Sequence, residues 1–213
     1  MSLIESDVER LAVKLGAALL ARRWRVATAE SCTGGLVAGA ITAIAGSSDW
    51  FDRGFVTYSN ESKHELLGVA EAVLREHGAV SEPTAIAMAE GAMTRSAAAL
   101  SVAITGIAGP GGGTASKPVG MVCFAWAERG GATTSTTHFV DGDRTEVRHA
   151  SVAIALRSLL DRAGNARCKS PVFQRGAKTR RRWPSGSSAT NVRPKSISVG
   201  AWMMCIPRDR HSA

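Results

Sequence analysis

The sequence predicts an α/β fold: a three-layer α/β/α sandwich around a mixed sheet, with parallel early strands and an antiparallel edge hairpin. Three observations predict it. Between residues 3 and 113 short apolar strands alternate with amphipathic helical runs, the pattern of strands joined by packed helices. Between residues 118 and 140 two strand-like runs are separated by Arg129-Gly130-Gly131, a hairpin connection. Hydrophobic residues make up 45% of the 213 positions, which suits one globular domain with a real core and an appendage.

The elements follow in order. Ser2 and Glu5 have capping-box spacing, and Val8, Leu11, Ala12, Leu15, Ala18 and Leu19 recur at helical intervals, so residues 3–23 read as a helix. A β-branched strand spans 25–29. The turn Glu30-Ser31-Cys32-Thr33-Gly34-Gly35 leads into a helix over 33–45, carrying Leu36, Val37, Ala40, Ile41 and Ile44. Gly46 to Asp49 breaks it, and Trp50 and Phe51 read as buried anchors. A second strand is expected over 54–59. Asn60 is placed as the cap of a short helix over 61–67 that Gly68 ends. A further helix covers 71–77, stopped by Gly78. Ser81-Glu82-Pro83 is a helix start with Ser as cap and Pro in the first turn, and Ile86, Ala89, Met93, Ala97 and Leu100 form its expected buried stripe. A third, apolar strand covers 101–105, and the glycine-rich loop 106–113 follows. Strands over 118–127 and 133–140 form the hairpin. The last helix, 143–163, carries Val147, Ala150, Ile154, Leu156, Leu159 and Leu160, and Gly164 is its expected end.

The net charge of +8 is unevenly placed. Residues 1–165 hold 15 Lys and Arg against 17 Asp and Glu, whereas residues 166–213 hold 11 basic residues and one acid, Asp209. The basic character therefore belongs to the tail and not to the domain. From Arg167 onward basic residues mix with Ser, Gly and Pro without a period, so 166–213 is expected to be a disordered tail. Arg180-Arg181-Arg182 makes nucleic-acid contact by this tail a rival function, a binding role rather than catalysis. A non-catalytic nucleotide-binding domain is a second rival. The four cysteines, Cys32, Cys123, Cys168 and Cys205, have no C-x-x-C pair, and the five histidines have no H-x-x-x-H pair. That spacing argues against a zinc site or a disulfide framework. The first 25 residues are amphipathic and charged, unlike a signal peptide. No apolar run approaches the roughly 20 residues of a membrane span. A cytoplasmic location is expected.

Three segments are expected at one sheet edge, because loops after the C-terminal ends of parallel strands gather there. The first is Ser31, beside backbone donors at Cys32, Thr33, Gly34 and Gly35 that a helix N-terminus leaves unpaired. The alternative role for Ser31 or Thr33 is an N-cap. The second holds Tyr58 and Lys63. A serine needs a base, and a lysine desolvated in a cleft loses its charge readily enough to be one; Tyr58 could relay the proton. The alternatives are a solvated Lys63 paired with Glu61 or Glu65 and a core ring for Tyr58. The third is Thr105 with Gly106, Gly109, Gly111 and Gly112. It lacks the Gly-Lys-Ser/Thr ending of a P-loop, but its backbone could form an anion nest or simply a flexible connection. Arg144 opposes the dipole at the start of the last helix, so it faces either a ligand anion or Asp141, Asp143 or Glu146.

Together the motifs resemble the CinA C-terminal domain family, the nicotinamide-nucleotide amidases of PncC type. The resemblance rests on TAESCTGG (28–35), GSSDWFDRGFVTYSNESKHELLGV (46–69), HGAVSEP (77–83), TGIAGPGGG (105–113), KPVG (117–120) and GDR (142–144). It covers residues 5–163 and looks like a stand-alone member, whereas the basic tail falls outside the pattern. The resemblance implies hydrolysis of the carboxamide of nicotinamide mononucleotide to nicotinic acid mononucleotide and ammonia. By motif position it implies Ser31 as nucleophile, with Lys63 and Tyr58 as activating partners and the turn after Ser31 as oxyanion site. Thr105, the glycine loop and Arg144 would hold the pyridine mononucleotide. It implies no metal and no organic cofactor, and it suggests a homodimer.

Overall fold

The computed structural model describes residues 3–165. In chain order these form α1 (Leu3–Arg22), β1 (Val26–Glu30), α2 (Leu36–Thr42), β2 (Phe51–Val56), α3 (Asn60–Leu67), α4 (Glu71–His77), α5 (Glu82–Thr94), β3 (Leu100–Gly106), β4 (Met121–Glu128), β5 (Thr134–Phe139) and α6 (Arg144–Asn165). The five strands make one sheet in the order β2-β1-β3-β4-β5. β1 pairs parallel with β2 and with β3, while β3-β4 and β4-β5 are antiparallel. The chain leaves β1 toward one neighbour and returns from β2 to the other. The two crossovers therefore place α2 and α3–α5 on opposite faces.

The two faces differ in side-chain size. One presents Val26, Leu100, Val102, Ile104, Val122, Phe124 and Trp126 to α1, α2 and α6. The other presents Ala27, Ala29, Ala103, Ala125 and Ala127, and α5 lies on it through Ala85, Met88, Ala89 and Ala92. Small residues on both sides bring α5 close, and the Ser101 hydroxyl donates to Ala89 O at 2.8 Å. Burial of apolar surface at about 25 cal/mol per Å² holds both layers on the sheet. Trp50 is an anchor, 2% exposed; a Cβ on Gly16 of α1 would come within 2.8 Å of its ring, so that glycine makes its place.

Several boundaries differ from the sequence expectation. The second strand is 51–56, not 54–59, so Tyr58 lies just beyond it. The cap of α3 is Ser59, not Asn60: Ser59 and Ser62 form a reciprocal capping box. The helix α5 ends at Thr94, so its buried stripe is Thr84, Ala85, Met88, Ala89 and Ala92. Ala97 lies beyond it and Leu100 opens β3, because the short link 95–99 must deliver the chain to the sheet. α2 starts only at Leu36, after Gly34 and Gly35 with φ of +60° and +95°, a region that favours glycine. In α6 the buried residues are Val147, Ser151, Val152, Ala155, Leu156, Leu159 and Ala163, with Ala150, Ile154 and Leu160 only half-buried. Gly164 does not end that helix, which runs to Asn165. Pro118 to Gly120 is a loop before β4. The Ser2 cap and the tail from 166 lie outside the described residues.

Candidate active site

The C-terminal ends of β1, β2 and β3 lie at one edge of the sheet, joined there by the start of β4 and the end of β5. Ser31 directly follows β1, and its N–H donates to Ile104 O at 2.9 Å, extending the ladder by one bond. The serine is 9% exposed. Opposite it, the capping box fixes the first turn of α3 and aims Lys63 and Leu67, four residues apart, inward. The Lys63 ammonium lies 3.2 Å from Ser31 Oγ and donates to Thr57 O at 2.9 Å and Ser59 O at 3.4 Å.

Lys63 is 1% exposed, and among the described residues no carboxylate lies within ion-pair distance of it. Burial lowers the pKa of its ammonium from the usual lysine value, outweighing the opposing effects of Cys32 and Glu61. A solvated lysine paired with Glu61 or Glu65 is thereby excluded. A neutral Lys63 can donate to the two carbonyls and still offer a lone pair to the Ser31 hydroxyl.

The turn after Ser31 is held from two sides by residues the sequence reading passed over. Glu30 is fully buried. Its carboxylate accepts from the N–H groups of Gly35 (3.0 Å), Val37 (3.0 Å) and Ala38 (2.9 Å). It therefore caps α2 and supplies the negative charge its N-terminus favours. The cap role considered for Thr33 is not taken; its buried hydroxyl has no hydrogen-bond partner among the described residues. Arg148 of α6 donates through Nε to Cys32 O (3.1 Å) and through Nη2 to Thr33 O (2.9 Å). Gly34 N–H closes the turn on Ser31 O at 3.0 Å. An acid six residues before the first helical position and an arginine one turn after Arg144 were the available signals.

These bonds narrow the donors expected at Cys32, Thr33, Gly34 and Gly35. The N–H groups of Gly34 and Gly35 are taken. Among the described residues those of Cys32 and Thr33 have no carbonyl or carboxylate acceptor. Burial pushes the Cys32 thiol up to about 12, outweighing the nearby N–H groups of Cys32 and Thr33 that favour its thiolate. The cysteine beside Ser31 is therefore a neutral thiol and a poor nucleophile.

The remaining candidates separate. Tyr58 is 62% exposed, so the core-ring reading is wrong. Its hydroxyl accepts from Arg144 Nη2 at 3.0 Å and makes no bond to Ser31 or Lys63. Arg144 also donates to Gly109 O at 2.8 Å, so its partners are the site rim and not Asp141, Asp143 or Glu146. Thr105 is buried and its hydroxyl donates to Ala79 O at 2.7 Å, which leaves no donor for a ligand. Gly106 ends β3 against Met121 O, where a Cβ would come within 2.9 Å. Gly109 and Gly112 adopt φ of +83° and +85°, and Gly111 faces open space. The loop is tied down rather than merely flexible: Ile107 and Gly120 exchange bonds with its flanks, and Lys117 Nζ donates to His77 O and Val80 O, both at 2.7 Å. A groove of about 300 Å³ between α1, α2 and α6 is lined by Val8, Leu36, Ala40 and Val152 and includes neither Ser31 nor Lys63.

Comparison with known proteins bears on the family and the fold of the chain. A family model described as the CinA C-terminal domain matches residues 8–163. A nicotinamide-nucleotide amidohydrolase PncC of Enterobacter agglomerans is 51% identical over 156 residues, covering 73% of this chain and 95% of the relative. The protein of the same name from Escherichia coli (strain K12) is 52% identical over 155 residues, covering 73% and 94%. The crystal structure of the competence/damage inducible protein CihA from Agrobacterium tumefaciens superposes with a TM-score of 0.72 at 51% identity, covering 75% of this chain and 98% of that one.

Proposed function

The chain belongs to the CinA C-terminal domain family, and on that premise we propose that it is a nicotinamide-nucleotide amidohydrolase acting through a serine acyl-enzyme. It converts nicotinamide mononucleotide to nicotinic acid mononucleotide and ammonia, a step of pyridine-nucleotide recycling. The observation that carries the mechanism is the buried Lys63 amine 3.2 Å from Ser31 Oγ, with no ion-pair partner among the described residues.

Neutral Lys63 takes the Ser31 proton as the oxygen attacks the carboxamide carbon. Charge develops on the amide oxygen, and the N–H groups of Cys32 and Thr33 receive it. The N–H of the residue after a nucleophile at a strand-to-helix turn is a recurrent oxyanion donor. Thr57 O and Ser59 O hold the Lys63 ammonium formed in this step. Lys63 then returns the proton to the departing nitrogen, the C–N bond breaks and ammonia leaves. Water, deprotonated by Lys63, attacks the ester; the carboxylic acid product departs and Ser31 regains its proton.

Tyr58 and Arg144 act at the rim on the nucleotide, not as a proton relay. Arg144 is the phosphate ligand, held in place by Gly109 O and Tyr58. The loop at Gly109, Gly111 and Gly112 lines the same mouth, and Thr105 supports it through Ala79. The amidase unit is residues 1–165. A homodimer and a cytoplasmic location belong to the same reading, supported by the family resemblance. The exposed side chains of Val56, Tyr58, Val119 and Phe139 leave apolar surface along the edge that carries the site. No helix among the described residues is long and apolar enough to cross a membrane.

The test is incubation with nicotinamide mononucleotide and with free nicotinamide. Equimolar ammonia and nicotinic acid mononucleotide from the nucleotide, with slower turnover of the free base, is expected. Turnover of nicotinamide alone would overturn the substrate reading.

A further inference from the structure

We propose that Arg148 is a positioning residue for oxyanion stabilisation, acting through the Cys32–Thr33 peptide. The proposal deepens the serine acyl-transfer reading and rests on it. A trans peptide is planar, so the carbonyl of one residue and the N–H of the next point in opposite directions. Arg148 Nε bonds the Cys32 carbonyl. That bond fixes the plane whose other side carries the Thr33 N–H, one of the two donors around Ser31 that have no carbonyl or carboxylate acceptor among the described residues. Nη2 of the same guanidinium bonds Thr33 O and so orients the next peptide, whose N–H closes the turn onto Ser31 O at 3.0 Å. The planar fork of arginine holds both carbonyls at once, which a lysine ammonium on a flexible stem does not reproduce.

The charge matters as well as the geometry. Among the described residues Arg148 forms no ion pair. Its positive charge on the carbonyl side polarises the peptide and strengthens the donor on the far side. Glu30 complements this arrangement: its carboxylate occupies the N–H groups of Gly35, Val37 and Ala38, so the start of α2 is not the anion site. Oxyanion donation is confined to the turn that Arg148 grips. Gly34, at φ +60°, places its Cα where a Cβ would sit 3.4 Å from Arg148 Nη2, so the guanidinium lies directly against the turn.

The test compares the full chain with Arg148→Ala, Arg148→Lys and Ser31→Ala. Turnover of nicotinamide mononucleotide, thermal midpoint, and the rate at which a fluorophosphonate probe labels Ser31 are measured for each. In labelling, the Ser31 oxygen forms a bond to phosphorus as its proton passes to Lys63, the P–F bond breaks and fluoride leaves, and the developing P–O charge uses the same donors. Both Arg148 variants are expected to lose about a hundredfold in kcat and in labelling rate, with KM nearly unchanged and the fold retained. Millimolar guanidinium chloride restores part of the rate to Arg148→Ala and none to Ser31→Ala, while equal sodium chloride restores neither. Labelling of Arg148→Ala at the full-chain rate overturns the proposal, as does a loss that follows the thermal midpoint and is not rescued. Retained turnover in Ser31→Ala instead overturns the serine reading. A full chain that fails on the nucleotide, with labelling still dependent on Arg148, removes the substrate and keeps the positioning role.

Discussion

Lys63 carries a group that is ordinarily protonated until about pH 10.4, yet it sits 1% exposed with no carboxylate among the described residues within ion-pair distance. Its folded-state pKa is lowered by burial, and two consequences follow with opposite signs for function and stability. On the proposed mechanism turnover needs the neutral amine, so kcat/KM is expected to rise with pH through a midpoint below the ordinary lysine range. Lys63→Arg, which stays charged, is expected to be inactive at every pH. For stability, the unfolded chain binds the proton over the window between the lowered pKa and the unfolded value, and the folded chain does not. Stability therefore rises with pH across that window and is lowest below it. Lys63→Met lacks this dependence, so its thermal midpoint is expected to gain on that of the parent chain as pH falls from about 10 toward 7. A constant difference would mean that Lys63 keeps an ordinary pKa.

At the scale of elements, the strand-turn-helix β1–α2 is closed by one side chain. Three N–H groups of α2 depend on Glu30, and leaving buried donors unpaired costs about 1–3 kcal/mol each before relaxation. Glu30→Ala is expected to lose about 3 kcal/mol in urea denaturation, and Glu30→Gln, which keeps one acceptor, about 1 kcal/mol. A loss below 0.5 kcal/mol for the alanine variant, well under a typical cap, would contradict the capping role. The pattern of apolar residues with glycine and proline breaks locates the helices and strands, because periodicity reports burial, but it misses the bounds of β2 and the buried stripe of α5. It was insufficient for Glu30: a fully buried acid in a short strand reads locally as a strand end, and its partners lie five to eight residues on. Ser59 was overlooked beside Asn60 because both are good caps, and only the Ser59–Ser62 reciprocity separates them. Ser31 and Lys63 were legible from the motifs, but their contact depends on where β1 and α3 are brought together. The exposure of Tyr58 is not legible in the sequence: β2 ends two residues before it, and its hydroxyl meets Arg144 from a distant helix.

On the scale of the whole molecule, the sheet order explains why the candidate site residues gather at one edge. β1 and β3 are adjacent and parallel, so Ser31 and the glycine loop leave the sheet side by side, and the return through β4 and β5 brings α6 with Arg144 and Arg148 to the same edge. The family match ends at residue 163, and the charge of the first 165 residues is slightly negative. A chain ending after Asn165 is therefore expected to keep the turnover of the full chain and to lose any salt-dependent DNA binding the full chain shows. A truncated chain that folds but cannot turn over substrate would place part of the site in the tail. The central claim is that the Ser31 hydroxyl, activated by Lys63, attacks the carboxamide. Ammonia release from nicotinamide mononucleotide by Ser31→Ala, beside the full chain, tests it most directly. A rate lower by about a thousandfold or more with an unchanged thermal midpoint is predicted, and release within tenfold of the full chain would contradict it.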